Sequence, residues 1–331
     1  MSEDFSHRVE TVSWPLQEPF IIANYRWETI EAVRVTIDVE DTAGRGEAVP
    51  LFYGSESPTE VAVAIRSWLA ERPTLPGREQ VLSAELVGSA RNALDAALWD
   101  LEAKRSGRPV WQLLGQGKPT PLPALVTLGL GSPQSMARQA GELQGFPVLK
   151  LKLDAVGIVE RVLAVRAERP DATLVIDANG SWSMDELMGS MPVLVDAGVA
   201  MLEQPLPAGR DRDAALNQWD SPIPLCADES CQSVADLETL SGRYSMINIK
   251  LDKCGGLTAA LDLAATARAM GFEIMVGNML GSSLAMAPAF YLAQQSRFAD
   301  LDGPLFLSTD YDTPLVFSDG VVSIPQALLW G

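Results

Sequence analysis

Apolar and polar residues alternate with a period of two along VETVSW and again along VRVTIDVE, which predicts two β-strands near the start of the chain. Between them, FIIANYRWETIE breaks the alternation and is expected to form a mobile loop. A second loop, AVPLFYGSESPTE, leads into a helix that starts near Pro58. In SARNALDAALWDLEAKRSG the residues Ala90, Leu94, Ala97, Leu98 and Leu101 recur at helical spacing, and the pattern stops near Gly107. This segment predicts a helix packed on a core. Antiparallel strands followed by helices predict an α+β domain over residues 1–118.

From residue 119 to 331 the pattern changes to short apolar strands alternating with amphipathic helices. The predicted strands are ALVTLGL, VLKLKLD, TLVIDAN, AMLEQPL, PLCADES, MINIKLD, EIMVGNM and FADLDG. Segments such as IVERVLAVRAERP and TAALDLAATARAMG have helical periodicity and end in Pro or Gly. Repeated βα units predict a parallel sheet, and eight strands suggest a closed α/β barrel rather than an open sheet. No GxGxxG follows the first of these strands, so the open nucleotide-binding alternative lacks its signature.

Composition narrows the function. A chain with 47% hydrophobic and 21% charged residues is an ordinary folded one. A net charge of −18 argues against a nucleic-acid partner, which needs clustered Lys and Arg. The longest apolar stretch, MPVLVDAGVAML, is broken by Asp196 and falls short of the ~20 residues that span a bilayer. With MSEDFSHRVE at its start, too polar for a signal peptide, the chain is expected to be cytoplasmic and without a membrane partner. Cys226, Cys231 and Cys254 form no CxxC pair and read as reduced, mostly structural thiols. The single histidine, His7, lies in the polar N-terminus, so no Ser-His or Cys-His nucleophile can be built. Acid–base chemistry then falls to lysines, carboxylates, tyrosines or cysteines.

In a βα barrel the C-terminal ends of the strands converge on one site. Those ends carry Lys150 and Lys152 in LKLKLD, Asp177 and Asn179 in IDAN, Glu203 in LEQP, Asp228 and Glu229 in CADES, and Lys250 in INIKLD. Lys152, Asp177, Glu203, Asp228 and Lys250 follow one another at 25, 26, 25 and 22 positions, each about one βα unit. A single acid of this kind reads as a helix cap or a lysine partner. Three acids buried together need a cation among them. An all-oxygen set without His or Cys suits Mg²⁺, one per subunit, better than zinc. Asn179 and Glu229 are expected to support these ligands from behind.

Lys152 precedes the first acid by one strand and Lys250 follows the last, so a closed barrel sets them on opposite sides of the metal. Lys150 shares the face of Lys152 by alternation. Its charge and partial burial both disfavour the Lys152 ammonium, which would let Lys152 act as a base. One lysine removes the proton beside a substrate carboxylate and the other returns one on the opposite face. Bound Mg²⁺ would stabilise the enediolate between the two steps. The result is racemisation or epimerisation.

At these residues the sequence resembles the enolase superfamily, specifically its muconate-lactonizing subgroup. The resemblance runs from the N-terminal region through ARNALDAALWDLEAKRSGRPVWQLLG to the last strand. It implies a (β/α)7β modified TIM barrel whose N-terminal α+β capping domain closes the site through its two loops. The absence of histidine after His7 excludes the mandelate-racemase-like pattern. Within the subgroup the sequence is similar to the dipeptide epimerases, on the strength of Asp300 and Asp302 in FADLDGP. The resemblance implies that these acids hold a dipeptide's α-ammonium while its C-terminal carboxylate meets Mg²⁺. The expected reaction is epimerisation of that C-terminal residue, with L-Ala-D/L-Glu as substrate and cell-wall peptide recycling as its setting. The first capping loop offers one basic residue, Arg26, among Asn24, Tyr25 and Trp27; it is either a ligand for a substrate carboxylate or a surface arginine. Trp27 and Phe52 suit an apolar side chain instead.

Three other readings remain. N-acylamino acid racemase or o-succinylbenzoate synthase activity would use the same metal and lysines, but their substrates bring no ammonium to Asp300 and Asp302. A cycloisomerase shares that difficulty. A non-catalytic, cation-binding scaffold leaves the two lysines unexplained. Barrel relatives often assemble into homo-oligomers, yet no stretch of this sequence names an interface.

Overall fold

The computed structural model describes residues 4–23, 25–54, 56–209, 216 and 219–331. Strands β1 (Ser6–Ile22), β2 (Tyr25–Val39) and β3 (Thr42–Ala48) form an antiparallel sheet in that order. The β1–β2 pairing continues from Ser6↔Asp38 to Ile22↔Tyr25, with a register shift between Pro15 and Phe20. The expected loop FIIANYRWETIE is therefore the far end of a long hairpin. β-Branched and aromatic residues there favour extended backbone, and cross-strand pairs such as Phe20↔Trp27 outweigh the irregular polarity pattern. Asn24 lies outside the described residues.

Helices α1 (Pro58–Ala70), α2 (Arg78–Leu82) and α3 (Gly88–Ser106) complete this region. Helix α1 begins where expected: Pro58 opens the first turn, and the Ser57 side chain accepts the Glu60 N–H. Helix α3 buries Ala90, Ala93, Leu94, Ala97 and Leu101 against Val33, Val35 and Ile37 of the sheet. Contact with β3 is closest at Gly44 and Gly46, where an added Cβ would meet the Ala97 and Ala93 carbonyl oxygens, each at 2.2 Å. Backbone packs on backbone there.

After β4 (Leu122–Pro123) come the eight strands of the barrel. They are β5 (Leu125–Leu128), β6 (Val148–Lys152), β7 (Thr173–Asp177), β8 (Val199–Glu203), β9 (Leu225–Ala227), β10 (Met246–Ile249), β11 (Glu273–Val276) and β12 (Phe298–Ala299). They lie parallel and in sequence order, forming a nearly closed barrel. Every predicted strand is present, and Lys152, Asp177 and Glu203 are the last residues of β6, β7 and β8, still paired across the ladder.

Alternation then stacks the interior. Leu125, Val175, Met201, Cys226, Met246, Met275 and Phe298 fill a lower apolar layer. Two residues further along each strand, the same inward direction delivers Thr127, Asp177, Glu203, Asp228, Asn248 and Asp300. Between β5 and β12 the Thr127 N–H donates to Asp302 Oδ2 at 2.7 Å, a side chain bridging the two end strands. The three cysteines are buried and free, as expected.

Past the barrel, β13 (Phe317–Ser318) and β14 (Val321–Val322) join β4 in a small sheet. The last residues cross back onto α3, where Trp330 Nε1 donates to the Ala96 carbonyl and the Gly331 N–H to Asp100 Oδ1. Buried Glu47 of β3 adds a polar tie, accepting from Trp14 Nε1, Ser282 Oγ and the Tyr311 hydroxyl. No helix among the described residues is long and apolar enough to cross a membrane.

Because Gly46 leaves no room for a side chain, Gly46→Ala should force β3 and α3 apart and lower stability by about 1–3 kcal/mol. A denaturant titration with unchanged m-value would register it as an earlier midpoint.

Candidate active site

Asp177 closes β7, Glu203 closes β8 and Asp228 follows β9, all fully buried. One carboxylate oxygen from each lies within 4.8 Å of the others. Lys152 Nζ stands 2.6 Å from Asp177 Oδ2 at one end of this row. Lys250 Nζ stands 2.7 Å from Asp228 Oδ2 at the other. The order expected around the barrel is thus present in space.

Lys150 sits deeper. Its Nζ is 3.0 Å from Asp177 Oδ2, 2.8 Å from Glu203 Oε2 and 2.8 Å from Asp300 Oδ2. It is no isolated cation pressing on Lys152, because three acids neutralise it. Burial disfavours the Lys150 ammonium, but Asp300, Glu203 and Asp177 together outweigh that and hold its pKa well above the usual lysine value. Lys250 behaves alike: burial opposes its charge, while Asp228 and Glu203 raise its pKa.

The acids divide by partner. Burial works against the charged form of all three. Lys152 and Lys150 nevertheless bring Asp177 down to about 2, and Lys250 and Lys253 hold Asp228 below the usual carboxylate range. Glu203 goes the other way, pushed up to about 7 by burial and by the neighbouring Asp177 charge. Its Oε1 accepts from Asn248 Nδ2 at 2.7 Å, whereas Oε2 faces Lys150 without an aligned hydrogen bond. A buried carboxylate oxygen left open beside two other carboxylates is a donor set that fits a hard cation such as Mg²⁺.

Asn179 and Glu229 border the acids. Asn179 Oδ1 accepts from Lys152 at 3.2 Å and its Nδ2 donates to Glu229 Oε1 at 3.2 Å. Burial and the Asp228 charge push Glu229 up to about 7.

Several contributors escaped the sequence reading. Lys253 Nζ, buried, donates to Asp228 Oδ1 at 2.7 Å and to the Asp228 and Asn248 carbonyls. Gln204 Oε1 accepts the Asp228 N–H at 2.9 Å. Asn278 Nδ2 donates to the Asp300 carbonyl at 2.7 Å and to its Oδ1 at 3.2 Å. Asn248 was legible as the inward position two before Lys250. Lys253 lies in a turn, where no periodicity announces it.

Lys150, Lys152, Lys250, Asp300 and Asp302 all line one cavity of about 260 Å³. Neither last-strand acid waits for a partner: Asp300 pairs with Lys150, and Asp302 holds the Thr127 N–H. Burial, reinforced by Asp300, pushes the Asp302 carboxyl up to about 8. The roof comes from the capping region through Phe20, Ile22, Trp27, Val49, Pro50 and Phe52. Tyr25 stacks on Trp27 at 5.5 Å, and Phe52 meets both edge-on at 4.6 and 5.0 Å. Arg26 is not among the lining residues; its Nη2 pairs with Glu28 Oε1 at 2.9 Å, with the side chain 54% exposed.

Comparison with known proteins agrees with this geometry. A family model described as Enolase C-terminal domain-like matches residues 134–328, and one described as Mandelate racemase / muconate lactonizing enzyme, N-terminal domain, matches residues 5–115. L-Ala-D/L-Glu epimerase of Escherichia coli (strain K12) is 44% identical over 93% of this chain and 96% of its own length. N-acetyl-D-glutamate racemase of Pseudoalteromonas sp is 42% identical over 90% and 94%. Among solved structures, an enolase family member from Agrobacterium tumefaciens with homology to dipeptide epimerases, holding sodium and L-Ala-L-Glu, superposes with a TM-score of 0.94 at 40% identity. The match covers 99% of this chain and all of that one. With its buried acid row, flanking lysines and two-part architecture, the chain belongs to the mandelate racemase / muconate lactonizing enzyme family of the enolase superfamily.

Proposed function

We propose that this protein epimerises the C-terminal residue of a dipeptide, with L-Ala-D/L-Glu as its substrate, using Mg²⁺ held by Asp177, Glu203 and Asp228. The observation that carries the proposal is the pair Lys152 and Lys250, which contact opposite ends of one acid row and line the same cavity. Each lysine serves one face of the α-carbon: for one epimer it removes the proton there, and for the other it delivers its own proton there while its counterpart removes one from the opposite face. Bound Mg²⁺ supplies an electrophile for the charge that develops on the substrate carboxylate. Lys150 adds a fixed positive charge beside Asp177 and Glu203. Asp300 and the Asp302 oxygen not engaged by Thr127 receive the α-ammonium.

Arg26 would answer the glutamate side chain by leaving Glu28 and turning toward the cavity. The roof of Trp27 and Phe52 suits the aliphatic part of that side chain. Cytoplasmic recycling of cell-wall peptides is the setting that fits such a substrate. N-acylamino acid racemisation is a second reading, favoured by the similarity to N-acetyl-D-glutamate racemase. The dipeptide comes first because the carboxyls of Asp300 and Asp302 line the cavity wall and offer acceptor oxygens to the N–H bonds of an α-ammonium, more of them than an acylated nitrogen carries.

Incubated with Mg²⁺ and L-Ala-L-Glu in D₂O, the enzyme should incorporate deuterium at the glutamyl α-carbon and yield the D-epimer, as followed by NMR. Lys152→Ala and Lys250→Ala should each abolish the inversion. Exchange of N-acetylglutamate but of no dipeptide would favour the second reading.

Mg²⁺ binding should also appear without turnover. At free Mg²⁺ about 100 times its Kd, the folded state gains about 2.7 kcal/mol, seen as a higher Tm by calorimetry. Glu203→Gln should remove most of that gain. For specificity, Arg26→Ala should raise KM for Ala-Glu at least about tenfold while sparing dipeptides with apolar second residues, as expected for loss of a charge-assisted contact. Equal effects on both substrate types would return Arg26 to the surface.

A further inference from the structure

The turn after β10 joins the capping region to the candidate catalytic centre. Lys250 opens it, Leu251–Cys254 form one helical turn, and Gly255 ends it. Lys253 points inward to Asp228. Asp252 points the other way: its Oδ1 accepts the Val49 backbone N–H at 2.9 Å and Asn92 Nδ2 at 2.9 Å, both bonds buried. Val49 begins the second capping loop, whose Val49, Pro50 and Phe52 line the cavity. Asn92 belongs to α3. The start of α3 also presses on this turn, because a Cβ at Gly88 would stand 2.4 Å from the Asp252 and Lys253 carbonyl oxygens. A Cβ at Gly256, where φ is 106°, would stand 2.6 Å from Asp95 Oδ2 of α3.

We infer that Asp252 is a positioning residue: by tying the second capping loop and α3 to the turn that begins at Lys250, it sets Lys250 against the substrate's α-carbon. The inference rests on the two-lysine reading proposed above. Asp252 acts here as an acceptor through Oδ1, and burial pushes its carboxyl up to about 7. Both of its donors are neutral amides. Lys152 has no share in this joint; it sits on β6 and contacts Asp177 and Asn179. Loosening the joint therefore disturbs proton transfer on one face of the substrate and spares the other.

The asymmetry supplies the test. The Mg²⁺-loaded enzyme is incubated in D₂O with each epimer of Ala-Glu separately, and α-deuteration is followed by NMR. Lys250→Ala identifies the epimer whose proton Lys250 handles. Asp252→Ala should slow exchange of that epimer by about 100-fold, the scale of an ångström-level misplacement, and leave the other epimer's exchange nearly unchanged. Asp252→Asn keeps the acceptor oxygen and should recover most of the lost rate. If Asp252→Ala does not fold, Asn92→Ala removes one donor from the capping side and should show the same asymmetry at smaller amplitude. Equal slowing of both epimers, no slowing, or an Asn variant as impaired as the Ala variant would overturn the inference. A native enzyme that exchanges neither epimer would contradict the two-lysine reading and this inference with it.

Discussion

Three buried carboxylates with oxygens within 4.8 Å of one another are the constraint on which the rest of the barrel depends. Stripping a partner from a buried ion pair costs about 3–5 kcal/mol, a large share of the about 5–15 kcal/mol that keeps a domain folded. Every neighbour of the acids reflects that cost. Lys150 reaches Asp177, Glu203 and Asp300; Lys152 takes Asp177; Lys250 and Lys253 share Asp228. Of these lysines, Lys150, Lys152 and Lys250 also face the cavity, so on the proposed function groups that make the fold tolerable are also those that move a proton. A divalent cation among the acids would take over part of that balance and free the lysines for chemistry.

The capping region is attached as firmly as the barrel is closed. Glu47 binds the sheet to Ser282 and Tyr311, the final residues return to α3, and Asp252 holds Val49 and Asn92. The aromatic roof of Tyr25, Trp27 and Phe52 joins the hairpin end to the second loop. The cavity is thus lined by both regions, which are linked through a few buried polar contacts.

Much of this was legible in the sequence because barrel strands are short, apolar and evenly spaced. Period-two alternation located the inward positions, and spacing by one βα unit brought Lys152, Asp177, Glu203, Asp228 and Lys250 together at the C-terminal ends of the strands. What escaped has no period. Lys253 and Asp252 lie in a turn whose side chains point in opposite directions, and only the fold says toward what. The hairpin end read as a loop because its irregular polarity hid the pairing of Phe20 with Trp27. For Asp300 and Asp302 the sequence names no protein partner, and only the fold sets Lys150 and the Thr127 N–H beside them.

The most direct test of the central claim is a crystal structure of the protein with Mg²⁺ and a dipeptide. Mg²⁺ should lie about 2.1 Å from one oxygen each of Asp177, Glu203 and Asp228. The Lys152 and Lys250 Nζ atoms should stand on opposite faces of the substrate's α-carbon. A metal bound away from these acids, or both lysines on one face, would contradict the claim.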